Sequence, residues 1–401
     1  MTKESNQTYV AKHDIKSSAN DAAGAEVAIK TKKKRNPFVI LLCVIIFLIL
    51  CFALFIYANT AIGFNGTDQN KGAYAAFDDL EEDTIDVMLI GTSATSRYFI
   101  PSKAYTDEGI SSFLIGAQST PAILYDNIMK YVDKTQNPKL YVIELRNVLD
   151  GYEAVSENDV RRTTDSMKFY KSDRIEMIDE ALEVMEQHPE ERSFDDNAID
   201  YYFPIIKYHS RLSATSEDEK ITTDELLLKF PYNKTQGYRC SSNVLTQVPQ
   251  EKPNYQTEAC ELYSDIEEIL CKLIDYCDTV DAEVLFTFSP YAQTEADNQL
   301  TLAVQDYVES RGYTCLNFNT DEMTEKIDVD WSTDMYNNNH FNYLGAEKFT
   351  NYMEKYLKKH YDLEDHRGDS TYDAWVEGYK IYKDYVADGI KYTSENNAAE
   401  N

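Results

Sequence analysis

The segment Phe38–Ala58 limits the fold more than any other part of the chain. It comprises 21 consecutive apolar or aromatic residues, which as a helix would span about 31 Å, close to the ~30 Å hydrocarbon core of a bilayer. We therefore predict a transmembrane helix over residues 37–58. A cleaved signal peptide is the competing interpretation, because the small residues Ala58 and Ala61 close the run. The apolar region of a signal peptide, however, is usually only about 7–15 residues long.

The charges before this segment predict its orientation. Residues 1–36 carry eight basic and four acidic side chains, and the basic residues next to the apolar run are Lys30, Lys32, Lys33, Lys34 and Arg35. Basic residues stay on the cytoplasmic side of a membrane. We expect residues 1–36 to form a disordered cytoplasmic tail and everything after about Asn59 to lie outside the cell membrane.

The overall charge argues against nucleic acid as a partner. The chain of 401 residues has 39 basic and 69 acidic side chains, a formal net charge of -30. A protein that neutralises phosphates needs the opposite sign. The content of 43% hydrophobic residues is ample for a sizeable core. The 31 tyrosines would suit a saccharide-binding cleft, although so many tyrosines more often belong to core and rim.

Cysteine usage gives little sign of a disulfide or metal framework. Of the seven cysteines, Cys43 and Cys51 fall inside the apolar run and five follow it. Cys240 and Cys260 could close a loop in an oxidising compartment, and Cys277 continues an apolar helical spacing that predicts a core position. No pair of cysteines has the spacing of a zinc-thiolate site, and we expect no metal and no cofactor.

Five short apolar runs predict the strands of a parallel sheet. They share continuous hydrophobicity and a polar or glycine-containing end, and they cover 85–91, 111–117, 140–145, 283–290 and 313–319. Helical patterns begin near Thr120, Glu261 and Asn298, the first with Ser119 or Thr120 as N-cap. Alternation of strands and helices predicts an α/β fold with helices on both faces of a parallel sheet.

The remaining segments complete the predicted organisation. Residues 59–84 read as a juxtamembrane connector, and residues 85–365 as an extracytoplasmic domain. About 148–280 is far longer than one crossover helix needs, so we predict an inserted helical subdomain there. Residues 366–401 form a C-terminal segment.

Ser93 is the first candidate for chemistry. The turn after the first predicted strand reads Gly91-Thr92-Ser93, which places a serine where sites of parallel sheets lie, at the carboxyl edge. The backbone N–H of Ser93 would face the same edge and could stabilise an oxyanion. A plain helix N-cap is the alternative role for this serine.

His340 is the second candidate, because it stands in a polar loop just before a predicted helix. Histidine is the usual base that activates a serine. The other five histidines of the chain lack such a setting. A Ser–His pair of this kind needs a third polar residue to hold the second ring nitrogen.

In this order and spacing, these residues resemble the SGNH (GDSL-like) hydrolase superfamily from about Ile85 to Tyr361. The match is best with the membrane-anchored branch that accompanies membrane-bound O-acyltransferases, as in polysaccharide O-acetylation and teichoic-acid D-alanyl transfer. The resemblance implies a flavodoxin-like three-layer sandwich, with Ser93 as nucleophile. It also implies an oxyanion hole formed by the N–H groups of Ser93 and Gly116 together with a side chain after the third strand, Asn147 or Arg146.

The last motif of that family, D-x-x-H followed by x-N-x-x-G, is matched by His340, Asn342 and Gly345 but not at its first position. There the chain has Asn337. An amide can hold the histidine tautomer but cannot stabilise the imidazolium by charge. Three outcomes stay open: Asp334 takes the role, a weaker dyad suffices, or the domain binds without catalysis.

The resemblance therefore implies a membrane-anchored, extracytoplasmic serine esterase or O-acyltransferase. Its acceptor would be a cell-surface polysaccharide and its partner a multi-span membrane-bound O-acyltransferase. A catalytically silent polysaccharide-binding or scaffolding protein is the alternative from another class. A metal-assisted phosphoesterase using Asp334 and His340 is a third, for which the sequence clusters too few ligands. Because the region outside the membrane carries about -34 by formal charge, we expect a neutral or weakly charged saccharide as acceptor.

Overall fold

The computed structural model of the protein describes residues 36–62, 64, 68–188, 197–212, 232–239 and 245–399. The chain divides into a unit of residues 1–52 and a unit of residues 53–401. Helix α1 (Pro37–Ala61) runs through the boundary. Its most apolar window has a mean hydropathy of 3.6 and no buried residues, so the helix is long and apolar enough to span a membrane. This confirms the predicted apolar helix, which continues slightly beyond residue 58.

A five-stranded sheet forms the centre of the second unit. Its strands are β1 (Val87–Gly91), β2 (Ser112–Gly116), β3 (Leu140–Glu144), β4 (Glu283–Phe288) and β5 (Thr314–Asn317). They are all parallel, in the order β2-β1-β3-β4-β5, the order of flavodoxin-like doubly wound sheets. The predicted α/β class and all five strands are confirmed. The strand order runs from β1 to β2 on one side and then from β3 to β5 on the other side of β1. A parallel sheet has its crevice at such a switch point, here between the carboxyl ends of β1 and β3.

Side chains of the central strands alternate between two cores. Met88 and Ile90 of β1 belong to one buried cluster, and Val87 and Leu89 to the other. Strands covered on both faces must be apolar at every position, which explains the continuous runs in the sequence. The result is a three-layer arrangement with the sheet between two layers of helices.

The helices after α1 pack mainly on these two faces. In chain order they are α2 (Asp68–Asp78), α3 (Ser93–Tyr98), α4 (Pro101–Glu108), α5 (Tyr125–Val132), α6 (Glu157–Thr164), α7 (Ser172–Gln187), α8 (Ile199–Tyr202), α9 (Pro204–Tyr208), α10 (Ser264–Cys277), α11 (Glu295–Ser310), α12 (Asp321–Ile327), α13 (Tyr343–His360) and α14 (Asp373–Ala399). A small antiparallel pair, β6 (Met335–Asn337) and β7 (His340–Phe341), lies between α12 and α13.

The connector predicted over residues 59–84 differs from the structure, because it contains α2. Tyr74 and Phe77 of this helix are almost fully buried in the core that also holds β2. Ordered packing in the described residues thus begins before Ile85. The last turns of α1 also belong to this unit: Phe55 contacts the rings of Phe169 and Phe203.

The described part of the insertion contains helices α6 to α10, as predicted for residues 148–280, with irregular chain over 246–263, and α10 is the crossover helix that leads into β4. The helix expected from Thr120 begins later. Thr120 instead accepts the N–H of Ala117, and a short 3-10 turn precedes α5. Cys277 is buried in the core as expected. Cys240, one half of the suggested disulfide, lies outside the described residues.

The C-terminal segment 366–401 contains the long helix α14, which packs against α4. Trp375 is 1% exposed, and its indole N–H donates to the carbonyl of Ser112. The helix therefore packs on α4 and reaches the edge strand β2 through Trp375.

Candidate functional site

The turn after β1 places Ser93 at the carboxyl edge of the sheet. Thr92 caps α3 by accepting the N–H of Ala94, so Thr92 and not Ser93 is the capping residue. Ser93 is the first residue of the helix, where N–H groups have no intrahelical acceptor. A side chain at Gly91 would place its Cβ 2.8 Å from Cβ of Glu144, so only glycine lets the turn lie this close to β3.

The histidine sits on a two-stranded hairpin instead of an open loop. In this hairpin Asn337 of β6 pairs directly with His340 of β7 across the turn. The backbone carbonyl of Asn339 accepts an N–H of Arg146 at 2.7 Å and lies 2.9 Å from the hydroxyl of Tyr98. The hairpin is therefore held against α3 and the end of β3.

The structure places Ser93, His340 and Asn337 in consecutive contact, with His340 between the other two. Oγ of Ser93 lies 2.8 Å from Nε2 of His340, and Nδ1 of His340 lies 3.2 Å from Oδ1 of Asn337. An amide oxygen can only accept, so Nδ1 carries the proton in this arrangement. Nε2 is then the acceptor for the hydroxyl of Ser93, which is the tautomer that a general base requires.

The surroundings keep the His340 ring neutral. Burial, together with the positive charges of Arg97, Arg146 and Arg239, lowers the pKa of His340 to about 2. Among the described residues, no carboxylate forms a salt bridge with the His340 ring. A neutral imidazole has the free lone pair that a base needs, but an imidazolium formed here would lack compensation by charge, so His340 is a weak base.

An aromatic stack fixes the plane of the His340 ring. The ring of Tyr336 lies parallel to it within 11°, with the centroids 5.3 Å apart. The guanidinium of Arg97 lies 5.2 Å from the centroid of the same tyrosine ring. Arg97 and His340 thus both contact one buried tyrosine, which limits rotation of the imidazole about its side-chain bonds.

Glu144, the last residue of β3, lies beneath the site as a buried carboxylate. It accepts the hydroxyl of Ser289 at 2.8 Å and the hydroxyl of Thr92 at 3.4 Å. Burial raises its pKa, while Arg146, 3.9 Å away, acts in the opposite direction. The carboxylate therefore connects the ends of β1, β3 and β4.

The two side-chain candidates for the oxyanion hole are positioned differently. The Arg146 guanidinium bonds to Asn339 and Tyr98 and lies 4.1 Å from the ring centroid of Tyr291. Asn147 donates one amide hydrogen to the carbonyl of Thr120 at 2.8 Å. Because a carboxamide has two N–H bonds, Asn147 can donate a second one into the cleft that it lines.

Gly116 packs against the turn that contains Thr92 and Ser93. It ends β2 opposite Gly91, and an added Cβ would lie 2.5 Å from the carbonyl oxygen of Thr92. The cleft beside Ser93 is lined instead by the residues two and three positions later, Gln118 and Ser119. An oxyanion role for the N–H of Gly116 stays a prediction.

Asp334 does not contact His340 in this structure. Its carboxylate is 1% exposed and bonds to Lys348 at 2.8 Å and to the N–H of Asp330 at 2.7 Å. Of the alternatives considered for the third residue, the geometry therefore supports Asn337. Among the described residues no group of three or more His, Cys, Asp or Glu side chains is arranged to hold a metal ion.

The other motif residues, Asn342 and Gly345, support the hairpin. Asn342 caps α13 by accepting the N–H groups of Leu344 and Gly345, and its amide donates to the carbonyl of Thr333 at 2.6 Å. A Cβ at Gly345 would lie 2.5 Å from the ring of Phe341. Both residues thus fix the segment that carries His340.

An open cleft gives access to the Ser93 hydroxyl. It has a volume of about 370 Å³ and is lined by Thr92, Ser93, Gln118, Ser119, Arg146, Asn147, Leu149, Asp150, Tyr291, Asp297, Asn339 and His340. This volume lies within the ~300–1,000 Å³ typical of ligand sites. The site can therefore admit a small acyl group or one end of a larger substrate.

Sequence reasoning did not assign a role to Glu144, Tyr336 or Arg97. Glu144 carried a signal, since a carboxylate at the end of an otherwise apolar strand must find partners when buried. The stack of Tyr336 on His340 had no such signal, because it depends on the pairing of the hairpin.

Comparison with models of known protein families finds no match to this chain, and comparison with curated protein sequences finds none either.

Proposed function

We propose that the protein is a membrane-anchored serine esterase or O-acyltransferase that acts on a carbohydrate through Ser93 and His340. The observation that carries the proposal is the 2.8 Å contact between Oγ of Ser93 and Nε2 of His340 in an open cleft. The contact of Nδ1 with Asn337 supplies the tautomer that such a base needs.

In the proposed reaction Oγ of Ser93 attacks the acyl carbonyl while its proton passes to Nε2 of His340. The N–H of Ser93 and the amide of Asn147 stabilise the oxyanion. The tetrahedral intermediate collapses, the leaving alcohol takes the proton from His340, and an acyl ester of Ser93 remains. A sugar hydroxyl or water, deprotonated by His340, then attacks this ester and releases Ser93 with its proton restored.

Asn337 sets the expected strength of this catalyst. In serine proteases, an amide behind the histidine that imposes the wrong tautomer lowers turnover about 10⁴-fold; here Asn337 holds the correct tautomer, so only the missing charge weakens the catalyst. We expect acyl transfer to a sugar, more than hydrolysis of a free substrate, to proceed with a slow enzyme when the acyl donor is delivered at the membrane surface. The proposed partner is therefore a multi-span membrane protein that supplies the acyl group.

The candidate membrane helix supports the proposed location. With the basic residues before the helix in the cytoplasm, the catalytic unit lies outside the cell membrane beside the cell-surface polysaccharide. The formal charge of that region supports a neutral or weakly charged acceptor, because a polyanion would be repelled.

A catalytically silent polysaccharide-binding protein is the second candidate, and a specific observation favours it. The charges that lower the pKa of His340 are those of three arginines, and they oppose formation of an imidazolium. Such a protein would bind saccharide in the same cleft without forming an acyl-enzyme.

The two candidates differ in what Ser93 does. In the cells that produce the protein, Ser93→Ala should lower the O-acyl content of surface polysaccharide to the level of a deletion strain. Ser310→Ala, which removes an exposed hydroxyl at the end of α11, is the matched control and should leave it unchanged. Unchanged acylation in cells that make the Ser93→Ala protein at normal levels would favour the silent alternative.

A further inference from the structure

A second groove continues the cleft at Ser93. It has a volume of about 440 Å³ and shares Leu149 and Asp150 with the 370 Å³ cleft. Its other walls come from the loop that contains Tyr152, from His188 at the end of α7 and from the start of α10. A ligand longer than the catalytic cleft would extend into this groove.

Two tyrosines give the groove flat apolar surfaces. Tyr263 is 58% exposed at the start of α10. The ring of Tyr152 lies against that of His188, with centroids 4.0 Å apart, and its hydroxyl bonds to Glu268 at 3.0 Å. Tyr152 is thereby held in place, whereas Tyr263 offers its ring to solvent.

Carboxylates stand beside these rings. Asp150, Asp265 and Glu268 line the groove, and none of the described residues that line it is a lysine or arginine. Asp265 is fixed by the N–H of Tyr152 at 3.2 Å. Carboxylate oxygens accept hydrogen bonds from hydroxyl groups, and such charge-assisted bonds are stronger than neutral ones. The same charges repel a phosphate or carboxylate polymer.

We propose that this groove is a binding site for a neutral oligosaccharide. The apolar C–H face of a sugar ring covers Tyr263, its hydroxyls donate to the carboxylates, and the next units reach the cleft at Ser93. This proposal rests on the proposed function only in placing the reacting end of the oligosaccharide at Ser93.

Binding is measured with the full chain in lipid nanodiscs, in a Ser93→Ala background, by calorimetry. The probes are neutral cello-, malto- and chitohexaose, with an oligogalacturonate of equal length as the anionic probe. At least one neutral hexasaccharide should bind, at least tenfold more tightly than the oligogalacturonate. Tyr263→Ala should weaken that binding about five- to tenfold, the contribution of one aromatic contact.

Tyr170→Ala is the matched control, because Tyr170 is 62% exposed and is not among the residues that line the groove. The proposal is overturned when no neutral hexasaccharide binds at millimolar concentration, when the oligogalacturonate binds more tightly, or when Tyr263→Ala behaves like Tyr170→Ala. Because Ser93 is absent from the assay, failure of the acyl chemistry leaves this measurement unaffected.

Discussion

At the scale of single residues, Asn337 decides how well the site can work. Asn337→Asp would place a carboxylate on Nδ1 of His340 and compensate the imidazolium. We predict an increase in kcat of at least about tenfold for hydrolysis of an activated acetate ester. Asn338→Asp, which adds the same charge one residue along on the exposed turn, should leave kcat unchanged. Equal effects of the two substitutions would show that Asn337 does not act through His340.

His340 also predicts the pH dependence. A free histidine gains its proton as the pH falls through about 6.5, and a dyad with that pKa loses activity in the same range. Burial and three arginines lower the pKa of His340 in the folded chain, so the base stays neutral at lower pH. We predict that kcat/KM is flat from pH 8 to about pH 5. A fall in kcat/KM centred near pH 6.5 would contradict the lowered pKa of His340.

Ser93 and His340 could be proposed from local order, a serine after a strand and a histidine before a helix, whereas Asn337 was proposed only through the family motif that the chain resembles. Glu144 was not assigned a role because its partners Thr92 and Ser289 are far from it in the chain. Tyr336 was not assigned one because its stack on His340 depends on the pairing of the hairpin. Asp334 was an open alternative, but its buried carboxylate is held by an ion pair with the partly exposed Lys348. Such competition among partners is visible only in three dimensions.

At the scale of elements, the turn between β1 and α3 depends on Gly91. A methyl group there would lie 2.2 Å from Oγ1 of Thr95 and 2.8 Å from Cβ of Glu144. Overpacking of this kind costs about 1–3 kcal/mol. We predict that Gly91→Ala lowers the free energy of unfolding by that amount in urea titrations and reduces kcat. Full stability in the variant would mean that β1 and β3 are not packed as closely as described.

The five strands were predictable because buried parallel strands are apolar throughout and end at glycine or polar residues. Helix α2 was missed because its segment is polar and begins among glycines, although the pair Tyr74 and Phe77 has the spacing of one buried helix face. The β6–β7 hairpin was read as a loop, since two short strands carry too few residues for a period-2 pattern.

At the scale of the whole molecule, membrane orientation is the property that the sequence predicts and the fold leaves untested. Val376 on α14 is 55% exposed, and we predict that Val376→Cys reacts with a membrane-impermeant maleimide on intact cells. Thr2→Cys should react only after lysis, and the unsubstituted chain gives the background from its native thiols. The reverse pattern would place the catalytic unit in the cytoplasm and contradict the proposed location.

The central claim is that His340 activates Ser93 as a nucleophile, and covalent labelling tests it most directly. The full chain in nanodiscs is treated with a fluorophosphonate, and the modified peptide is identified by mass spectrometry. The account predicts modification of Ser93 in the unsubstituted chain, with loss of labelling in Ser93→Ala and at least a tenfold slower rate in His340→Ala. An unsubstituted chain that stays unlabelled, or a His340→Ala variant that labels at the same rate, would contradict it.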